Sequence, residues 1–313
     1  MFYRPSFRLV RDNTKINFMK GRHAGLIVSA VLSLASLILF FYPGPNLGID
    51  FRGGIVMEVR TPGPADFGKL RTLIGSAHGE GGLQRFGDDS TVAVKLDLQK
   101  SEAETQALTN RVRQSIEQGM PGARVVRTDA VGASVSEELF RNGLLALGIS
   151  LLMILVYIWF RFEWQFAIGA VVTLILDVTK AVGFLVITRL EFDLVMVAAI
   201  LTIIGYSTND KVVVYDRMRE NLRKYKTMPL RQLIDLSINE TLNRTLGTSC
   251  TIFLSALPLA LFGGTSISGF AWVMLFGIVV GTSSSIFIAA PILLFLGENR
   301  LRRDAQPVPT TAG

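Results

Sequence analysis

The sequence is short of the side chains from which most active sites are built. It holds one cysteine, Cys250, and two histidines, His23 and His78, in 313 residues. A single thiol excludes a disulfide framework within the chain and leaves the redox compartment open. Two histidines far apart in sequence, with that one thiol, argue against a zinc site. There is no Gly-x-Ser-x-Gly elbow, phosphate-binding loop or metal-ligand spacing, so a membrane enzyme ranks low and no cofactor is implied. Charge is scarce too: 18% of residues are Asp, Glu, Lys or Arg, against 50% hydrophobic. Basic loops facing one side of a membrane explain the formal charge of +7 better than nucleic-acid binding does.

What is abundant is apolar sequence in blocks of about twenty residues, the length that crosses a ~30 Å hydrocarbon layer at ~1.5 Å per residue. Six such blocks predict a polytopic α-helical membrane protein, with spans at 24–42, 144–160, 166–187, 194–214, 245–262 and 270–296. Arg4, Arg8, Arg11, Lys15, Lys20 and Arg22 precede the first, within a basic segment at 1–23. That span ends Phe40-Phe41-Tyr42-Pro43 without a small-residue cleavage site, as expected of a retained signal anchor. The 215–243 connection, with Arg217, Arg219, Arg223, Lys224, Lys226 and Arg231, and the tail at 298–313, with Arg300, Arg302 and Arg303, are the basic loops. The positive-inside rule places them and both termini in the cytoplasm. Six spans give the even parity this needs and leave residues 43–138 on the other side.

Residues 43–138 have ordinary soluble composition and read as a small α/β domain, followed by spans two to six within 139–297. Strands are predicted at Ile55–Val59, Thr91–Leu96 and Arg124–Val126. Phe67, Leu70, Leu73, Ile74 and Ala77 make the apolar face of one helix; Leu108, Val112 and Ile116 make that of another. Ser101-x-x-Glu104 is a capping box opening the second. Glu80, Asp88 and Asp89 read as a solvated turn, so a binding or gating module is favoured over an active site.

Charges inside the spans are the functional candidates, because each is unfavourable there by about 2.5–3.5 kcal/mol even on the lenient insertion scale. Asp177 lies mid-way along the third span with Lys180 three residues on, close enough on one helix face to pair. A neutralised ion pair and a part in ion movement are both open. Asp210 and Lys211 are adjacent in the fourth span, after Asn209. Neighbours on a helix point about 100° apart, so they are not expected to pair; Lys211 is left to reach the headgroups or another helix. Arg244 begins the fifth span at a depth expected to match Asp210, which predicts a contact between them: a proton-responsive pair or a static one. Gly277-x-x-x-Gly281, before Thr282-Ser283-Ser284-Ser285, reads as a close-packing face.

Gly48-Ile49-Asp50-Phe51-Arg52-Gly53-Gly54 resembles the G-x-D-F-x-G-G signature of the SecD/SecF protein-export family. Val131-Gly132-Ala133-Ser134-Val135-Ser136-Glu137-Glu138-Leu139 resembles its pre-membrane stretch. Gly205-Tyr206-Ser207-Thr208-Asn209-Asp210, and Glu240-Thr241-Leu242-Asn243-Arg244-Thr245, are similar to the SecF branch. The resemblance runs from about residue 15 to residue 297. It implies an RND-related half-bundle that pairs with SecD, associates with the SecYEG channel, and uses the proton-motive force to assist preproteins outward across the bacterial inner membrane. YajC and the SecA motor are the indirect partners it implies. Its proton-coupling residues map onto Asp210 and Arg244, its motif onto Gly48, Asp50, Phe51, Gly53 and Gly54, and its periplasmic domain onto 43–138. Motion is expected to reach that domain through the first and second spans. The chain departs from the family at Leu176, where many SecF sequences have histidine, and at Lys180 and Lys211, where they lack lysine. The two lysines are either a matched adjustment between helices or a retuning of the acid site. A proton-coupled transporter of a small solute or lipid has the same helix plan and is the alternative; a purely structural assembly subunit is a further one.

Overall fold

A computed structural model describes residues 14–78, 82–85, 89–99 and 101–295. Arg4, Arg8, Arg11, Arg300, Arg302 and Arg303, like Glu80 and Asp88, lie outside them. The helices are α1 (Arg22–Phe41), α2 (Ile49–Arg52), α3 (Phe67–His78), α4 (Glu102–Gly119), α5 (Ala133–Arg161), α6 (Trp164–Thr188), α7 (Leu194–Lys224), α8 (Leu230–Phe262), α9 (Gly264–Ser284) and α10 (Ala290–Phe295). A π-helical turn, Ser285–Ala289, joins the last two. The strands are β1 (Asn46–Leu47), β2 (Gly54–Arg60), β3 (Gly82–Arg85), β4 (Thr91–Leu96), β5 (Arg124–Val131) and β6 (Glu191–Phe192). Six helices among the described residues are long and apolar enough to cross a membrane: α1, α5, α6, α7, α8, and the α9–α10 run from Ile267 to Phe295.

The first span is inverted relative to a helix of a soluble protein. Ser29, Ser33 and Ser36 are the buried face of α1, whereas Ile27, Val31, Leu34 and Ile38 are exposed. Small residues let backbones approach, and lipid solvates the apolar side. Gly183 of α6 lies against Ser36 at such an approach. The glycines of α9 pack as their spacing predicts, with Gly277 opposite Ile203 and Gly281 3.2 Å from the Ser207 side chain, measured from the position a Cβ would take.

The connection expected at 215–243 is mostly helix. Only 225–229 separate α7 from α8, and the two run on together as an antiparallel hairpin. Its charged residues are paired in register rather than dispersed in a loop. Arg217 Nε donates to Glu240 at 2.7 Å, and Asn221 Nδ2 donates to Ser237 at 3.0 Å and to Glu240 at 2.7 Å. Tyr215, Met218 and Leu222 meet Leu230, Leu233, Ile234 and Ile238 in a shared apolar core. Residues ahead of α1 dock on the same hairpin: Asp235 accepts from the Met19 amide at 2.9 Å, and Asn239 bonds both the amide and carbonyl of Ile16.

On the opposite side, the domain side, β3-β4-β2-β5 form an antiparallel sheet. Ile55, Met57, Val59, Val92, Val94 and Leu96 point from it to Leu70, Ile74, Leu108, Val112 and Ile116 of α3 and α4. The alternation that predicted the strands is the pleat that buries one face. Ser101 Oγ accepts from the Glu104 amide at 3.2 Å, the cap read from the sequence. β3 was not predicted: Gly82-Leu83-Gln84-Arg85 has one apolar residue and no alternation.

Candidate functional site

The spans bring four charges together. Asp177 of α6 is 1% exposed, Lys180 5%, and on α7 Asp210 is 7% and Lys211 1%. Lys211 crosses to α6, where its Nζ bonds Asp177 Oδ2 at 3.0 Å. The same carboxylate oxygen accepts from Ser207 Oγ at 2.6 Å and from Ser284 Oγ at 2.7 Å. Lys211 also bonds the Ser207 hydroxyl and, at 3.2 Å, the Ser207 carbonyl. Lys180, three residues along α6, sits 3.7 Å from the other oxygen, Oδ1. Asp177 is therefore the centre of a three-helix node made by α6, α7 and α9. Such a node is tolerable in a low-dielectric bundle because its charges are paired and Oδ2 has three donors; Oδ1 has the Lys180 charge nearby but, among the described residues, no hydrogen-bond donor.

Asp210 faces the other way. Thr282 Oγ1 donates to its Oδ2 at 3.4 Å, and Ser249 Oγ, 2.7 Å from Thr282 Oγ1, lies beside it. Tyr206, Asn209, Thr248, Ile252, Gly277 and Gly281 help line a cavity of about 10 Å³ at this carboxylate, near the lower limit for one water. Asn209 itself is exposed and reaches this space from the outer face of α7. The fourth span thus sends Lys211 to α6 and Asp210 to the α8–α9 gap, as the 100° between neighbours requires.

Arg244 does not meet Asp210, correcting the contact predicted from depth. It is exposed, and among the described residues no ion pair links the two. Two geometric facts separate them. The register that pairs Arg217 with Glu240 sets Arg244 level with Val213, about one turn beyond Asp210, which lies beside Ser249. Helical Cβ atoms also tilt toward the helix N-terminus, so on antiparallel helices Asp210 leans to the domain side and Arg244 to the hairpin side. The hydroxyls that hold both acids go beyond the sequence reading, which gives Thr282 and Ser284 to a close-packing face, Ser207 to a family motif and Ser249 no role. One signal was available: Ser207 is four residues before Lys211, on the same helix face.

The glycine-rich motif forms the joint between domain and bundle. β1 pairs in parallel with β6, in the short α6–α7 connection, and the Gly48 amide donates to the Phe192 carbonyl at 2.9 Å. Asp50 Oδ2 accepts from the Leu194 amide at 3.1 Å and Asp193 Oδ1 from the Met196 amide at 2.8 Å, so two carboxylates cap the N-terminus of α7. Phe51 packs on Phe192 and Phe140, with ring centroids 5.4 and 5.5 Å apart. Gly53 turns the chain at φ +71 and Gly54 at +138, where a side chain is strained. Lys95 of the sheet bonds Glu191 at 2.7 Å. Burial pushes the Asp193 carboxyl above the usual range; the Met196 amide opposes this, and nearby Asp50 and Glu191 add to it.

Comparison with known proteins bears on the same residues. The family model for the C-terminal part of the protein export membrane proteins SecD/SecF matches residues 111–299, and that for the SecD/SecF GG motif matches 38–61. The chain belongs to the SecD/SecF family. Within it, relatives named protein translocase subunit SecF are similar over nearly the whole length. That of Rickettsia akari is 43% identical, with 94% of this chain and 96% of the relative covered. That of Rhodobacter capsulatus is 39% identical, with 96% and 94% covered. The crystal structure of SecDF, a translocon-associated membrane protein from Thermus thermophilus, superposes with a TM-score of 0.85 at 31% identity. This chain is covered to 94% there but spans only 40% of that one. A SecDF structure in a super-membrane-facing form gives a TM-score of 0.67 at the same identity. The SecD/SecF fold and the SecF-like motifs read from the sequence agree with these likenesses.

Proposed function

We propose that this chain is the SecF-type subunit of a protein-export machine, and that with a SecD partner it uses the proton-motive force to assist preproteins through a SecYEG-type channel. The observation that carries the reading is the pair of buried carboxylates, Asp177 and Asp210, on facing sides of one family-typical bundle. Asp210 is the group assigned to proton uptake and release, since hydroxyls hold it where an ion pair holds Asp177. The subunit acts without catalysis of a covalent step. The basic hairpin and tail support cytoplasmic termini in a bacterial inner membrane, with the α/β domain outside. SecA and YajC are indirect partners on this reading.

Two features support a second half-bundle against this one. Relatives of known structure carry SecD and SecF in one chain about two and a half times as long, as the 40% coverage implies. The outer face of α7 and α8 also exposes Asn209, Arg244, Thr251 and Ser255 within or beside the spans, a poor surface for lipid and a suitable one for another helix bundle. A further coupling route accompanies the one expected through the first and second spans. The β1–β6 pair and the Asp50 cap tie the domain linker directly to the N-terminus of α7, the helix that carries Asp210. Shifting one charge through 100 mV supplies about 2.3 kcal/mol, comparable with the few-kcal/mol gaps of two-state conformational changes.

Affinity purification of the full chain from gently solubilised membranes tests the partnership. A SecD-like chain and a SecY-like channel should accompany it. Isolation without either, together with solute-dependent proton flux from the chain alone in vesicles, would shift the reading to the transporter class.

A further inference from the structure

Asp210 lies next in sequence to a lysine and yet has no ion pair among the described residues, whereas Lys211 reaches across to Asp177. The cluster as a whole is balanced, with Asp177 and Asp210 against Lys180 and Lys211, and its asymmetry lies in how the partners are distributed. Asp177 takes both lysines, one at 3.0 Å and one at 3.7 Å, and receives two serine hydroxyls as well. Asp210 receives only hydroxyl contacts, from Thr282 and Ser249, beside a cavity with room for about one water. The ~100° between neighbours sets only the directions of the Cβ atoms; the flexible four-carbon stem of a lysine released from Asp177 can carry its compact charge round toward Asp210. Held by Ser207 one turn back and by Asp177 on the next helix, that charge is kept off the neighbouring carboxylate.

We infer that Asp177 is a positioning residue that sequesters Lys211, and so leaves Asp210 unpaired and able to exchange a proton. This rests on the proposed function and specifies how this chain accommodates two lysines in the spans. They form a matched adjustment, in which the extra cations are absorbed at Asp177 rather than at the acid site. Lys180 contributes by occupying the Oδ1 side of Asp177, and Ser284 ties the node to α9, the helix whose Thr282 touches Asp210. Removing Asp177 would leave Lys211 with Asp210 as its nearest carboxylate, and the acid site would close as an ion pair.

The test reads the state of Asp210 directly, with a hydrophobic carbodiimide. Such a reagent adds to a protonated carboxyl in an apolar site, forming an O-acylisourea that rearranges to a stable N-acylurea, and mass spectrometry locates the adduct. Two doubly substituted full-length chains are compared with the unsubstituted one in native membranes. Asp177→Asn/Lys180→Met and Asp177→Asn/Lys211→Met each remove one charge of either sign, so both keep the cluster neutral and limit the risk of misfolding. Only the first leaves a lysine beside Asp210. Asp210 labelling should fall at least tenfold in the first and stay within about twofold of the unsubstituted chain in the second. Equal labelling of the two overturns the inference while leaving the proposed function standing. No labelling of Asp210 in the unsubstituted chain counts against both, since it denies Asp210 an exchangeable proton at all. If either variant fails to accumulate, Lys211→Met/Asp210→Glu against Asp210→Glu alone supplies the same comparison: equal labelling at position 210 is expected with Asp177 present, and a large rise on loss of Lys211 overturns the sequestration.

Discussion

At the scale of single residues, the molecule separates two kinds of buried carboxylate. Asp177 has two lysine charges and three donors on one oxygen, whereas Asp210 has hydroxyl contacts alone. Outside the spans, Asp50 and Asp193 share one helix end, each accepting an amide of α7. The folded state holds the Asp193 carboxyl above its ordinary value, chiefly through burial. Its contribution to stability is therefore full below the unfolded value of about 3.9 and is lost as pH rises through the folded one. Asparagine caps a helix about as well as aspartate and carries no charge to bury. Asp193→Asn should leave the thermal midpoint at pH 7.5 unchanged or slightly higher, whereas Asp193→Ala should lower stability by about 1 kcal/mol. Thermal melts of the purified protein check both; a loss with asparagine as large as with alanine would contradict the argument. Which charges are buried in the spans was legible in the sequence, because charge in an apolar run is conspicuous. How they pair was not. A sequence gives depth along a helix, but partners also depend on rotation about the axis and on the tilt of Cβ, and those assigned Lys211 to Asp177 and separated Asp210 from Arg244.

At the scale of elements, the spans were legible because lipid demands long apolar runs, and the domain helices because one face must be buried. The hairpin beyond the membrane was not, since charged sequence there looked like loop. Its pairs, Arg217 with Glu240 and Asn221 with Ser237, exist only once two distant helices are in register. The short β1–β6 pair was equally hidden, being two residues from each of two connections. It makes the glycine-rich motif a mechanical element. Asp50→Ala should remove a cap from α7, with a local loss of about 0.5–2 kcal/mol, and Asp50→Asn should restore most of it. Hydrogen exchange at the amides of residues 194–197 reads this directly: faster exchange with alanine than with asparagine is expected, and equal rates in both would show that Asp50 does not hold the helix.

At the scale of the whole molecule, one chain carries a soluble domain on a joint that is also the end of a helix with two buried charges. On the proposed function, domain position and the state of Asp210 are two readings of one conformational equilibrium. The most direct measurement is preprotein translocation into vesicles containing the full chain, its SecD partner and the channel, with and without an imposed proton-motive force. Asp210→Asn should leave the complex assembled and the ATP-driven phase intact, and should reduce the force-dependent stimulation at least tenfold. Undiminished stimulation with asparagine at position 210 would contradict the account.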